Sequence, residues 1–210
     1  MKICEVSELT KVSDHRQKPA GGLTEVAFVG RSNVGKSSLL GALLMRWKLF
    51  PTSSTPGKTR TLGFVRVKLA SAASRAFHVV DLPGYGFANV PVAVKEQWGR
   101  MVEAYFQEGT DLGLVVFIMD VRHPLTASDR ELLAWIRPTG VPIQPVLTKA
   151  DKLSSTAAVE SLKAVHADPD LAGFPAPVLF SAKTRQGRNE LLHAIWEHVA
   201  RPPLPAIRHP

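Results

Sequence analysis

The sequence predicts an α/β fold: a mostly parallel six-stranded sheet with one antiparallel strand and helices on both faces. Three observations predict it. Short apolar, β-branched runs alternate with helical stretches through most of the chain. One longer run alternates apolar and polar residues, as an exposed strand does. The Gly-rich and acidic motifs fall at the ends of the apolar runs, the edge where such a sheet gathers its ligand-binding loops.

The elements follow in order. Residues 1–24 are polar, mixed in charge and end in PAGGL, so they form a lead-in with one short strand or turn. EVAFVG (25–30) is a strand that breaks at glycine, and a helix follows from Lys36 to Trp47. LGFVRVKLA (62–70) and AFHVVD (76–81), separated by a Ser/Ala-rich turn, form a hairpin. LVVFIMD (114–120) and IQPVLT (143–148) are buried strands, interleaved with helices around 92–107, 126–137 and 155–167. PVLFSA (177–182) and a helix over 187–200 close a unit spanning 25–200. The tail 201–210 has four prolines in ten residues, which prevents a helix and leaves an extended or disordered end.

At 210 residues the chain is large enough for one domain with its own core. A single cysteine, Cys4, has no partner for an internal disulfide, which fits a reducing, cytoplasmic setting. The first residues lack a continuous apolar segment and no later run approaches membrane-spanning length, so neither export nor membrane insertion is expected. Twenty-six Lys and Arg against eighteen Asp and Glu leave a formal charge of +8. That field suits a nucleic-acid or ribonucleoprotein partner, and equally a merely soluble basic protein.

Gly30-Arg31-Ser32-Asn33-Val34-Gly35-Lys36-Ser37 matches GxxxxGK[S/T] between a predicted strand and a predicted helix, the context the motif requires. Its amides and the helix N-terminus, through Ser38, are suited to phosphate oxygens. Lys36 reaches the β and γ phosphates, and Ser37 offers its hydroxyl to Mg²⁺. Asp81-Leu82-Pro83-Gly84 ends another strand on the same edge. It offers Asp81 to the magnesium shell through water and the Gly84 amide to the γ-phosphate.

Thr148-Lys149-Ala150-Asp151 points to guanine. The Asp151 carboxylate accepts from the N1 and N2 donors of that base, a pair adenine lacks, while the Lys149 stem lies along the base plane. At the end of the last strand, Phe180, Ser181 and Ala182 bring a backbone amide toward the guanine O6. A P-loop protein using ATP is the rival reading, and Asp151 argues against it.

GRSNVGKSSLL, SSTPGKTRTLGF, DLPGYGFA and TKADKL together resemble the translation-factor class of P-loop GTPases. Within it they resemble the TrmE-Era-EngA-YihA-septin group and its EngB (YihA/YsxC) family, over roughly residues 5–200. The resemblance implies the three-layer P-loop GTPase fold. It aligns Thr59, within Gly57, Lys58, Thr59, Arg60 and Thr61, with the switch threonine that binds magnesium and senses the γ-phosphate. Read from the residues alone, that segment is also an ordinary polar turn. The resemblance further implies a monomeric GTPase for large ribosomal subunit assembly in bacteria, contacting rRNA and ribosomal proteins and needed for normal division and septation. An RNA-binding scaffold with a structural nucleotide, or a division switch with protein partners only, are the alternatives.

In Ras-like proteins a glutamine after DxxG orients the attacking water, and here Tyr85 follows Gly84, so slow intrinsic turnover is expected. Asn33 either holds a K⁺ ion near the phosphates, as in some members of the wider group, or only stabilises the loop turn. Tyr85 and Phe87 either dock on a partner or are core aromatics, the commoner fate. RWKLF (46–50) either stacks on RNA bases or seals a helix end through Trp47 and Phe50. Trp98, Tyr105 and Phe106 have helical core spacing.

Overall fold

The structure, a computed structural model, describes residues 2–51, 61–70, 75–85, 92–108 and 111–200, with backbone alone at 92–95, 97 and 98. Its strands are β1 (Lys2–Val6), β2 (Thr10–Val12), β3 (Glu25–Gly30), β4 (Leu62–Ala70), β5 (Ala76–Asp81), β6 (Leu112–Asp120), β7 (Ile143–Thr148) and β8 (Val178–Leu179). The helices are α1 (Lys36–Leu44), α2 (Val92–Glu108), α3 (Ala127–Ile136), α4 (Ser155–His166) and α5 (Arg188–Val199).

The sheet runs β1-β4-β5-β3-β6-β7-β8. Strands β5, β3, β6, β7 and β8 pair in parallel, and β4 is the antiparallel partner of β5, as the hairpin reading requires. The six predicted strands are therefore present. Two more extend the sheet: β1 and β2 both lie antiparallel on the free edge of β4, one along Val67–Ala70 and the other along Leu62–Phe64. The lead-in thus holds two strands where one strand or turn was expected, because edge pairing with β4 supplies what its polar sequence does not.

Three layers follow from the alternation of side chains. Ala27, Val29, Val115 and Phe117 face a core with Val102, Tyr105, Phe106, Leu132, Leu133 and Val165, under α2, α3 and α4. Val26, Phe28, Val116 and Ile118 face the other core with Leu39, Leu43, Leu191 and Ile195, under α1 and α5. Strand β4 reads as exposed but is mostly buried. Leu62 and Phe64 enter the first core, Val65, Val67 and Leu69 the second.

Several ends move. Helix α1 stops before the expected Trp47 because Met45 turns left-handed at φ 56°. Phe50 is buried as expected, whereas Trp47 packs over Gly41 and stays 49% exposed. Strand β8 is short because the Ser181 amide turns away to donate to the Gln186 carbonyl at 3.1 Å. Tyr105 and Phe106 are core residues; the side chain of Trp98 lies outside those described.

Candidate nucleotide-binding site

The phosphate loop joins β3 to α1 on the edge where the parallel strands end. Asn33 (φ 61°) and Gly35 (φ 102°) both take left-handed backbone, which curls the loop. Asn tolerates that region and Gly enters it freely. Gly35 is the N-cap of α1 and no side chain caps the helix, so its first amides, those of Lys36, Ser37 and Ser38, open toward the loop. The Ser32 amide is engaged elsewhere, donating to the Tyr85 carbonyl at 2.9 Å, and the Val34 amide donates to Arg31 O at 3.2 Å.

Strand β5 delivers Asp81 beside this loop, in register with Phe28 of β3. The Asp81 carboxylate is ion-paired with the Lys36 ammonium, and both side chains are mostly buried. Leu82 belongs to the core, so its contribution to a nucleotide contact is through the backbone. Gly84 packs so tightly on the phosphate loop that a Cβ there would lie 3.2 Å from both Cα and N of Ser32. The next residue, Tyr85, is buried, which places it with the core aromatics.

Strand β7 ends at the Thr148–Asp151 turn, which the sequence reading assigns to the base. The Thr148 hydroxyl lies 2.6 Å from the Val34 carbonyl and 3.0 Å from Met119 O. Lys149, left-handed at φ 60°, donates from Nζ to Asn33 O at 2.7 Å and pairs with Asp120 at 2.9 Å. Its stem therefore lies along the rim between the two loops; a Cβ on Gly35 would be 3.6 Å from Lys149 Cε. The Ala150 amide donates to the Phe180 carbonyl at 3.2 Å. The exposed Asp151 carboxylate accepts from the Ser181 hydroxyl at 2.7 Å, and that bond holds its carboxyl below the usual range. Phe180 and Ser181 are buried, and the Ser181 amide is taken by Gln186. The Ala182 amide has no partner among the described residues and is the donor left for a base carbonyl.

Two residues of this site were not anticipated. Asp120, at the end of β6, accepts from Arg122 Nε at 3.0 Å and from its terminal nitrogen at 2.7 Å, besides pairing with Lys149. Burial pushes its carboxyl up, but these bonds overcome the effect and hold it well below the usual range. Arg122 thus grips the Asp120 carboxylate through two nitrogens, a bidentate pair. Asp129 of α3 receives the guanidinium of Arg31, whose Nε lies 3.5 Å away. Arg31 accordingly turns its side chain from the rim, and contact with a nucleotide would use its backbone. Thr61 is half-buried just before β4. Gly57, Lys58, Thr59, Arg60 and Phe87 lie outside the described residues.

A three-layer sheet with a phosphate loop after β3, an aspartate closing β5 and a Thr-Lys-Ala-Asp turn after β7 defines a P-loop GTPase. A family model described as 50S ribosome-binding GTPase matches residues 25–149. The probable GTP-binding protein EngB of Pelotomaculum thermopropionicum is 42% identical over 199 residues, covering 95% of this chain and 98% of that protein. The protein of the same description from Geobacter sulfurreducens is 44% identical over 181 residues, covering 86% and 82%. The chain belongs to the EngB family of GTP-binding proteins. Solved structures show the same fold: a probable GTP-binding protein EngB superposes with a TM-score of 0.64 at 21% identity, covering 84% of this chain and 99% of that one. Era of Aquifex aeolicus superposes with a TM-score of 0.70 at 21% identity, over 84% and 56%.

Proposed function

We propose that this GTPase is a magnesium-dependent switch whose GTP-bound form engages the large ribosomal subunit, or a precursor of it, during assembly. The observation that carries the nucleotide half is the shared rim: Lys149 and Thr148 tie the loop bearing Asp151 directly to the loop bearing Lys36. A guanine at Asp151 and the Ala182 amide therefore leads its phosphates to Lys36 and the uncapped start of α1.

The residues present fit a magnesium ion. Among the described residues no cluster of three or more His, Cys, Asp or Glu is formed. Ser37 and Asp81 offer two hard oxygens, with Thr59 as the third protein candidate. A site of this kind leaves most positions to water and phosphate oxygens, the habit of Mg²⁺. When bound, the ion would neutralise charge developing on the phosphate oxygens. With nucleotide bound, Lys36 would exchange Asp81 for a phosphate, and the Asp81 carboxylate would hold the ion through water. Tyr85, buried and committed to other contacts, offers no carboxamide to an attacking water, which supports slow turnover by the isolated chain. The left-handed backbone of Asn33 supports its role in the loop turn. A K⁺ ligand there remains part of the proposal, tested by comparing hydrolysis in potassium and sodium buffers.

The ribosomal partner is supported by the formal charge of +8 and by the description of the matching family. A cytoplasmic location and an effect on division follow from that partner. Among the described residues no helix is long and apolar enough to cross a membrane. Co-sedimentation with purified large subunits tests the reading. Binding should be strongest with a non-hydrolysable GTP analogue, weaker with GDP, and lost as salt is raised. No co-sedimentation in either nucleotide state overturns the ribosomal half.

A further inference from the structure

We propose that Asp129 is a positioning residue that sets the discrimination between GTP and GDP, by holding Tyr85 and, through it, the Gly84 amide against the phosphate loop. The inference rests on the guanine-nucleotide reading of this site.

Asp129 is fully buried at the start of α3. One oxygen accepts from the Thr126 amide at 2.8 Å and the Thr126 hydroxyl at 2.7 Å, a reciprocal cap on the helix. Such a cap works at a surface and requires nothing further. Here the other oxygen accepts from the Tyr85 hydroxyl at 2.7 Å, and the Arg31 guanidinium stands 3.5 Å from the oxygen that Thr126 caps. These two additional partners come from the two loops that would hold the phosphates. Burial, then the neighbouring carboxylate, push the Tyr85 hydroxyl far up, so it stays a proton donor at every working pH.

Tyr85 is thereby fixed at both ends. Its hydroxyl is anchored to α3, while its carbonyl accepts from Ser32 N at 2.9 Å in a bridge between Arg31 and Tyr85. Gly84, immediately before it, rests on Ser32. The position of the Gly84 amide thus depends on Asp129 across a buried hydrogen bond. That amide meets the terminal phosphate, the one group GTP has and GDP lacks, so loosening Tyr85 should weaken GTP selectively.

The test uses the full chain as wild type, Tyr85→Phe and Asp129→Asn, with Kd measured for GDP and for a non-hydrolysable GTP analogue. Tyr85→Phe, which removes only the hydroxyl, should weaken the analogue about tenfold and GDP by less than about twofold, with Asp129→Asn changing the ratio in the same direction. Equal weakening of both nucleotides, or no change in either, overturns the proposal. Should Asp129→Asn fail to fold, Tyr85→Phe decides alone. Wild type that binds neither nucleotide overturns the guanine-nucleotide reading itself.

Discussion

The hydroxyl of Thr148 sits 2.6 Å from the carbonyl of Val34, and this contact, with that of Lys149 on Asn33 O, joins the Thr148–Asp151 turn to the phosphate loop. Both groups are buried, so removing the donor leaves two carbonyls, Val34 and Met119, without that partner. Thr148→Val keeps the shape and should cost about 1–3 kcal/mol of stability. Because the contact sets the spacing between base and phosphate sites, GTP and GDP affinities should fall together. Thermal unfolding and titration with both nucleotides check it; an unchanged affinity for each would show that the spacing is held by Lys149 alone.

Asp151 is exposed and oriented by the buried Ser181 hydroxyl. Asp151→Asn exchanges a two-fold acceptor for a group with one acceptor and one donor. Guanine then meets a donor facing its own donor, whereas xanthine, with a carbonyl at that position, gains a partner. GTP affinity should fall by at least about a hundredfold while XTP affinity rises. Competition between the two triphosphates measures the exchange.

Most of this site was legible because each nucleotide motif ends an apolar strand, and strand ends are where the backbone stops and side chains become available. EVAFVG before Arg31, AFHVVD before Leu82 and IQPVLT before Lys149 all have that form. LVVFIMD has it too, and Asp120 could have been found by the same rule. Asp129 carried a signal in the spacing of Thr126 and Asp129, a capping box; its second task depends on Tyr85 and Arg31, distant in sequence, and no local pattern reports such a meeting. Strands β1 and β2 were not legible for a related reason. KICEV and TKV are mostly exposed and owe their extended form to the edge of β4.

His78 supplies a pH dependence. It lies buried in β5, edge-on to the Phe64 ring at 6.0 Å. Burial lowers its pKa first, helped by Lys18 and Arg66, against the opposing pull of Glu25 and Asp111. A lowered value in the folded state means that the unfolded chain binds the proton more readily. Its stabilising contribution is therefore whole above the ordinary histidine pKa of about 6.5 and drains away as pH falls below that. The melting temperature of wild type should drop between pH 7 and pH 5 (roughly that window, from the ordinary value downward) more steeply than that of His78→Phe. Parallel curves for the two proteins would remove His78 as the cause.

Glu25 opens β3 at the end of the sheet opposite the nucleotide rim, and is 1% exposed. One carboxylate oxygen accepts from Lys18 at 2.8 Å and the other from the Tyr105 hydroxyl at 2.9 Å. Lys18 also holds Asp111 at 2.6 Å, so a single cation fastens the segment before β3 to the start of β6, while Tyr105 fastens α2 to the same carboxylate. Truncation to alanine strands a lysine and a buried phenol together, a loss of about 3–5 kcal/mol. Glu25→Gln keeps one acceptor oxygen for Lys18 and turns an amide donor toward the Tyr105 oxygen, so it should lose less than the alanine variant. The damage lies a full strand length from Lys36 and Asp151. Folded Glu25→Ala should therefore keep its GTP to GDP affinity ratio even as its denaturation midpoint falls. A changed ratio would mean that α2, held at its far end by Tyr105, transmits that strain to the nucleotide rim.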